Sequence, residues 1–254
     1  MMSIGRSNYV TGDQARSLGL AYTRSGSFIL RADNTTTLSS SGNGRNSFRI
    51  ISNNRYGTHV SVFDLRHMPQ GCGTWPAIWE LGDGVWPEGG EVDIVEGVND
   101  QEPNASSLHT SPGCTMPQSR PETGTPTGLD CDAYADGNAG CGVHTNTPNN
   151  YGPEFNDNGG GWYAIERTPT FIKIWFWPRS GGDVPSDAGG ISSSSINTDA
   201  WGTPTAYFPN TECDIDSKFS PSYIIINLTF CGDWAGAVYG SSGCPGTCEG
   251  TLRL

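Results

Sequence analysis

Positive charge is scarce in this chain. Its 254 residues include 14 Lys and Arg against 26 Asp and Glu, which gives a formal net charge of −12. Because an acidic surface repels a phosphate backbone, this balance argues against nucleic acid as a partner. The sequence also has no apolar run long enough to span a bilayer, so we expect no membrane partner. The net charge would neither favour nor oppose the binding of an uncharged polymer.

Helical periodicity is nearly absent, and short runs of β-prone residues recur instead. The 35 glycines and 17 prolines are typical of many strands joined by turns. We therefore predict an all-β fold, a jelly-roll sandwich of two antiparallel sheets. The predicted strands are Phe28–Ala32, Phe48–Ser52, His59–Leu65, Glu91–Glu96, Trp162–Glu166, Phe171–Pro178 and Tyr223–Phe230.

The stretch Thr110–Asn158 shows no clear strand and is rich in Pro, Gly and Asn. A loop of this length in a compact domain is usually functional or held by cross-links, and three of the cysteines fall within it. No linker or repeat divides the chain. We expect residues 1–254 to form one β-sandwich domain.

The cysteines number eight, and most lie in loop-like segments. Their spacing does not suit zinc, because only Cys244 and Cys248 are close and the four histidines are scattered. Disulfides in an oxidising compartment are the better interpretation, with the connectivity left open.

Secretion also fits the glycosylation sequons at Asn34, Asn104 and Asn227. The segment Met1–Arg6 has no apolar signal core. We expect a secreted protein whose signal peptide is not present in this chain.

The main chemical signal is the run from Gly89 to Gly97, which carries Glu91, Asp93 and Glu96. Alternation along a strand places Glu91 and Asp93 on one face, and a single β-bulge at Ile94 and Val95 would bring Glu96 to that face too. Retaining glycosidases hold two carboxyl groups roughly 5–5.5 Å apart, and neighbouring positions on one strand suit that distance.

Asp93 lies between the two glutamates. We expect it to hydrogen-bond Glu91 and to separate the pKa values, leaving Glu91 ionised and Glu96 protonated. The ordinary alternative is a solvated acidic strand, and spacing alone does not exclude it.

Eight tryptophans are many for this length. Trp79 and Trp86 precede the acidic strand closely and are candidates to stack on sugar rings, although core packing explains any single tryptophan equally well. We expect Trp75, Trp175 and Trp177 to be largely structural.

His109 and Arg49 are weaker candidates. His109 is expected near the end of the next strand, where it could contact a carboxylate or a sugar. Taken alone, His109 fits a structural histidine better, and Arg49 fits a surface cation better.

These motifs together resemble glycoside hydrolase family 16. The spacing Glu91-x-Asp93-x-x-Glu96 is similar to the bulged branch of that family, which includes laminarinases. Gly73–Trp79 matches the aromatic segment upstream of the motif, and Ile226–Gly236 is similar to the late tryptophan segment of fungal laminarinases.

The resemblance implies a jelly roll with an open cleft across its concave face, and endo-acting, retaining hydrolysis of β-1,3 or mixed-linkage β-1,3/1,4-glucan. It implies Glu91 as nucleophile, Asp93 as its assistant and Glu96 as acid/base. Cleft-lining roles are implied for Trp79, Trp86, Trp234, His109 and, with less support, Arg49. No cofactor and no catalytic metal are expected, the partner is a β-glucan polysaccharide, and a monomer is the simplest assembly.

One departure concerns the termini. Family domains usually have a strand upstream of where this chain starts and another downstream of Cys248. We expect a version with both strands restored to melt at a higher temperature.

Three other functions stay open. A transglycosylase would use the same triad and pass the sugar to a glucan hydroxyl. A glucan-binding module or lectin would have no need of three acids on one strand. The third alternative is a secreted structural protein braced by disulfides.

Overall fold

The computed structural model describes residues 6–39, 44–190 and 195–252. The β-prone runs pair into sheets, and the helices are all short. The strands are β1 (Ser7–Tyr9), β2 (Ala21–Arg24), β3 (Ser27–Leu30), β4 (Arg45–Ser47), β5 (Arg49–Ile51), β6 (His59–Leu65), β7 (Thr74–Leu81), β8 (Glu91–Glu96), β9 (Ala105–His109), β10 (Thr125–Pro126), β11 (Cys141–His144), β12 (Gly161–Arg167), β13 (Phe171–Pro178), β14 (Ala206–Pro209) and β15 (Tyr223–Phe230). The α-helices are α1 (Gly12–Ser17), α2 (Gly152–Asp157), α3 (Ser186–Gly189), α4 (Ile215–Lys218), α5 (Gly232–Ala235) and α6 (Cys248–Thr251).

Two antiparallel sheets form the body of the molecule, as predicted. The larger has seven strands in the order β10-β11-β9-β8-β7-β15-β5, and the smaller has four in the order β14-β13-β12-β6. Two further pairs, the parallel β1-β4 and the hairpin β2-β3, complete the described strands. Strand β8, which carries the three acids, therefore lies in the interior of the larger sheet.

The core lies between the sheets, because alternate side chains of each sheet point inward. Val92, Ile94 and Leu108 from the larger sheet join Ile165 and Ile174 from the smaller one, and all five are fully buried. Burying the apolar face of β8 leaves its acidic face directed away from the core.

A second apolar cluster covers the outer face of the smaller sheet. Trp175 and Trp177 lie parallel with ring centroids 6.5 Å apart, and Trp201 meets Trp175 edge-on at 5.2 Å. The three are 2%, 8% and 5% exposed. This location confirms the structural role predicted for Trp175 and Trp177.

All eight cysteines are paired, which confirms the prediction of disulfides. The bonds are Cys72–Cys244, Cys114–Cys213, Cys131–Cys141 and Cys231–Cys248. Among the described residues no helix has the length and apolar character that a bilayer crossing requires.

The prediction that Thr110–Asn158 lacks strands was wrong. It contains β10, β11 and α2, and β11 pairs with β9 in the larger sheet. The run Cys141-Gly142-Val143-His144 is short and includes a glycine, which weakens a strand signal in sequence. Two disulfides hold this stretch, through Cys114, Cys131 and Cys141.

Candidate active site

A bulge in β8 sets the direction of the acidic side chains. In the pairing of β8 with β7, Asp93 faces Trp79 and Val95 faces Ile78, so Ile94 is the extra residue. The inserted residue shifts the alternation by one, and Glu96 returns to the face that carries Glu91 and Asp93. All three acids line one cleft, as the spacing predicted.

Two side chains from the neighbouring chain segment hold the bulge; Asn104 directly precedes β9 and Ser106 lies within it. Asn104 accepts a hydrogen bond from the Glu96 amide at 2.9 Å and donates to the Ile94 carbonyl at 3.2 Å. Ser106 Oγ also donates to the Ile94 carbonyl, at 2.9 Å. These bonds satisfy backbone groups that a bulge removes from the regular ladder. Sequence reasoning missed both residues, and Asn104 drew notice only as a sequon.

Each glutamate accepts a hydrogen bond from an indole. Trp86 Nε1 donates to Glu91 at 3.1 Å, and Trp75 Nε1 donates to Glu96 at 2.7 Å. The expectation that Trp75 is largely structural was therefore wrong, because its ring lies in the cleft. Residues 75 and 79 have the same parity on β7, a strand that the sequence did not predict, so both rings face the cleft.

Asp93 does not make the hydrogen bond to Glu91 that the sequence suggested. Its Oδ2 lies 3.3 Å from His109 Nε2, and among the described residues this oxygen has no aligned hydrogen-bond partner. The register explains the contact, because His109 on β9 stands directly opposite Glu91 and next to Asp93. His109 Nδ1 lies 2.9 Å from Asn138 Oδ1.

Burial raises the pKa of all three carboxyl groups, to about 8 for Glu91, about 7 for Asp93 and about 8 for Glu96. The negative charge of Asp93 adds to the rise at both glutamates, while His109 and the indole donors oppose it. The expected separation of the Glu91 and Glu96 pKa values is not seen, because desolvation raises both values and each side chain accepts an indole N–H. Because the three acids interact, their protons leave in steps whose pKa values belong to the cluster and not to single residues.

The other predicted residues also line the cleft. The Arg49 guanidinium lies over the Trp79 ring, 4.9 Å from its centroid, and Trp79 Nε1 donates to Asn227 Oδ1 at 2.7 Å. Trp234 meets Trp75 edge-on, with ring centroids 5.8 Å apart. The structure thus brings all eight predicted site residues into one cleft. The lining residues that sequence reasoning did not select include Tyr9, Trp75, Thr127, Asn138, His144, Asn227 and Thr229.

Trp75, Trp79, Trp86 and Trp234 are each only partly buried around the three acids. Partly exposed indoles present flat apolar faces and leave N–H groups for polar partners, which suits stacking against the C–H faces of sugars. Two acids beside such faces form the arrangement that acid/base hydrolysis of a glycosidic bond needs.

Comparison with known proteins agrees with this geometry. Residues 2–253 match the family model described as an XgeA-like catalytic GH16 domain. The chain is 45% identical over 245 residues to "Probable glycosidase C21B10.07" of Schizosaccharomyces pombe and 44% identical over 243 residues to a "Probable endo-1,3(4)-beta-glucanase" of Aspergillus fumigatus. Each alignment covers 95% of this chain, and the chain spans 56% and 36% of the length of these relatives.

Solved structures show the same fold. Laminarinase 16A from Phanerochaete chrysosporium, a GH16 protein determined with two β-glucans in donor and acceptor sites, superposes with a TM-score of 0.97 at 59% identity. The match covers 100% of this chain and 85% of that one. An elongating family 16 β-1,3-glucosyltransferase superposes with a TM-score of 0.90 at 42% identity, covering 98% of this chain and 84% of that one.

Proposed function

Because this chain belongs to glycoside hydrolase family 16, we propose that it is a retaining endo-hydrolase of β-1,3 or mixed-linkage β-1,3/1,4-glucan. The observation that carries the proposal is the bulged strand β8, which directs Glu91, Asp93 and Glu96 into one tryptophan-lined cleft. The activities named for the relatives support it. A cleft formed by a sheet seven strands wide suits a polymer bound along its length.

In the proposed reaction Glu91 attacks the anomeric carbon while Glu96 protonates the leaving oxygen, which gives a covalent glycosyl-enzyme. Glu96 then removes a proton from water, and the water displaces Glu91. Desolvation supports one ionised and one protonated glutamate, because the raised pKa values let the carboxyl cluster keep a proton near neutral pH. The indole of Trp75 fixes the direction of the Glu96 carboxyl group.

The substrate contacts follow from the cleft lining. Trp79, Trp86 and Trp234 provide stacking faces, and Arg49 and His109 provide polar contacts to hydroxyls. Arg49 packed over Trp79 presents a cation beside a stacking face. No cofactor is part of the proposed reaction.

The direct test is release of reducing sugar from laminarin and from barley mixed-linkage glucan, followed by proton NMR of the first products. We expect oligosaccharides whose new reducing ends are initially β. Initial α-anomers would contradict the retaining mechanism, and no release from either glucan would favour a binding module.

A transglycosylase is the second candidate, because the chain superposes closely on an elongating β-1,3-glucosyltransferase. The two reactions differ only in the acceptor that resolves the glycosyl-enzyme. At high concentrations of a laminari-oligosaccharide, transfer gives products longer than the substrate and hydrolysis gives only shorter ones.

We also infer that the protein is a secreted, monomeric glycoprotein. Four disulfides favour an oxidising compartment. Of the three sequons, Asn104 and Asn227 are 0% and 8% exposed and hydrogen-bonded, whereas Asn34 is exposed. On expression through a secretory pathway, we expect a deglycosylation mass shift that Asn34→Gln removes and Asn104→Gln does not.

A further inference from the structure

One group of side chains in the cleft converges on a common point. Glu91, Asp93 and His109 each offer an oxygen or nitrogen atom, and these three atoms all lie within 4.8 Å of one another. Asp93 is 3% exposed, and among the described residues its Oδ2 has no hydrogen-bond partner. A buried carboxylate oxygen without a donor costs free energy unless a ligand satisfies it.

The orientation of His109 strengthens this observation. Its Nδ1 lies 2.9 Å from Asn138 Oδ1, an oxygen that can only accept, so we assign the ring proton to Nδ1. When the ring is neutral, Nε2 then carries a lone pair on the side of Asp93. Metal-binding histidines are held in this way, with the other ring nitrogen donating to an oxygen outside the site.

The contact between His109 and Asp93 fits two ligands better than a hydrogen bond. Nε2 and Oδ2 lie 3.3 Å apart, yet they do not form an aligned hydrogen bond. A tetrahedral zinc ion with bonds of about 2.0–2.2 Å separates neighbouring ligand atoms by roughly 3.3–3.5 Å. The two atoms therefore already have the spacing of neighbouring zinc ligands.

We propose that Glu91, Asp93 and His109 form a binding site for a zinc-like divalent transition metal, which reversibly inhibits the enzyme. The inhibitory part rests on the proposed function, because the ion would engage the carboxylate of Glu91 and block its attack on the sugar. One imidazole with two carboxylates favours Zn²⁺, Cu²⁺ or Ni²⁺ over the oxygen-preferring Ca²⁺ and Mg²⁺. The fourth position of the ion would face the open cleft.

Binding is tested without any substrate. Titration calorimetry with Zn²⁺ should give one site per chain, and Co²⁺ should give the intense visible absorption of a four-coordinate ion. Asn138→Ala removes the acceptor that orients His109 and should weaken zinc affinity about 10- to 100-fold. His109→Gln should weaken it at least as much, with circular dichroism confirming that each variant is folded.

His144→Gln is the matched control, because His144 lines the same cleft on the neighbouring strand β11. It should leave zinc affinity within about twofold. Adventitious binding would give affinity that survives His109→Gln or that depends on His144, and either result overturns the proposal. The absence of a one-to-one site for Zn²⁺ in the unaltered protein would also overturn it.

Inhibition is measured separately. Zn²⁺ should raise the apparent KM for laminarin without changing kcat, and EDTA should restore activity. Zinc binding in a protein that hydrolyses neither glucan would refute the proposed function alone. Hydrolysis that is insensitive to zinc, with no calorimetric site, would refute the metal site alone.

Discussion

Two indole donors distinguish this cleft at the scale of single residues. Trp75 binds Glu96, and Trp86 binds Glu91. An N–H that points at a carboxylate stabilises its charged form and so lowers the pKa of that carboxyl group. Each tryptophan thereby offsets part of the rise in pKa that burial imposes on its glutamate.

Removing the donor to Glu96 gives a testable change in pH dependence. In Trp75→Phe the pKa of Glu96 should rise, because its charged form loses a hydrogen bond. Glu96 must be protonated to act as the acid, so the alkaline limb of the kcat/KM profile should move to higher pH. We expect kcat to fall about tenfold as the carboxyl group loses its fixed direction.

Trp175→Phe is the control, because Trp175 is buried on the outer face of the smaller sheet. Its pH profile should match that of the unaltered protein. A Trp75→Phe variant whose alkaline limb stays in place or moves to lower pH would contradict the assigned role of the indole.

The two glutamates are separated by chemical rescue. Glu96→Ala should lower hydrolysis of laminarin at least about 100-fold, and azide should restore turnover of an activated aryl glycoside with a β-glycosyl azide as product. Glu91→Ser should remove hydrolysis, leave binding of laminari-oligosaccharides, and use an α-glycosyl fluoride as a donor for synthesis. Azide rescue that gives an α-glycosyl azide from Glu96→Ala would exchange the two roles.

At the scale of elements, the bulge in β8 depends on Asn104. This buried amide accepts from the Glu96 backbone and donates to the Ile94 carbonyl. Asn104→Ala leaves the Glu96 amide without an acceptor and leaves Ser106 as the remaining donor to the Ile94 carbonyl, which should cost about 1–3 kcal/mol in the free energy of unfolding. Glu96 should then lose its alignment, so kcat should fall by more than KM changes.

Urea unfolding and steady-state kinetics on laminarin check both effects. The exposed Asn54 serves as the control, and Asn54→Ala should change the free energy of unfolding by less than about 0.5 kcal/mol. Full activity in a folded Asn104→Ala variant would show that the bulge persists without its amide.

Short runs of β-prone residues predict β6, β8, β13 and β15 with their bounds. They miss β7 as a strand because Pro76 argues against a central strand. In the structure Pro76 lies just outside the ladder with β8, whose pairing with β7 begins at Ala77. The sequence predicts the acidic face of β8. It does not predict that Asn138 and Asn227 line the cleft, because they reach it from separate segments of the chain.

At the scale of the whole molecule, a site with three desolvated acids weakens the fold that carries it. Asp93 has its pKa raised from 3.8 to about 7 by burial, so the folded protein binds protons that the unfolded chain has released. Such a group favours folding below the unfolded pKa near 4, and this contribution disappears as pH rises through the folded value. Stability should therefore fall between about pH 4 and pH 8, and the glutamates add to the same trend.

Asp93→Asn tests whether the ionisation of Asp93 lowers the free energy of unfolding. An amide has no proton to lose, so the variant should gain on the order of 3 kcal/mol over the unaltered protein at pH 8 and little at pH 4. Melting curves at the two pH values measure the difference, while activity should fall because Glu96 loses the neighbouring negative charge that helps to keep it protonated. Asp13→Asn, on the exposed helix α1, is the control and should give no gain of this size at pH 8. An equal gain at both pH values would mean that Asn packs better than Asp at position 93 for reasons other than charge, and would separate the stability of the fold from the ionisation of its acids.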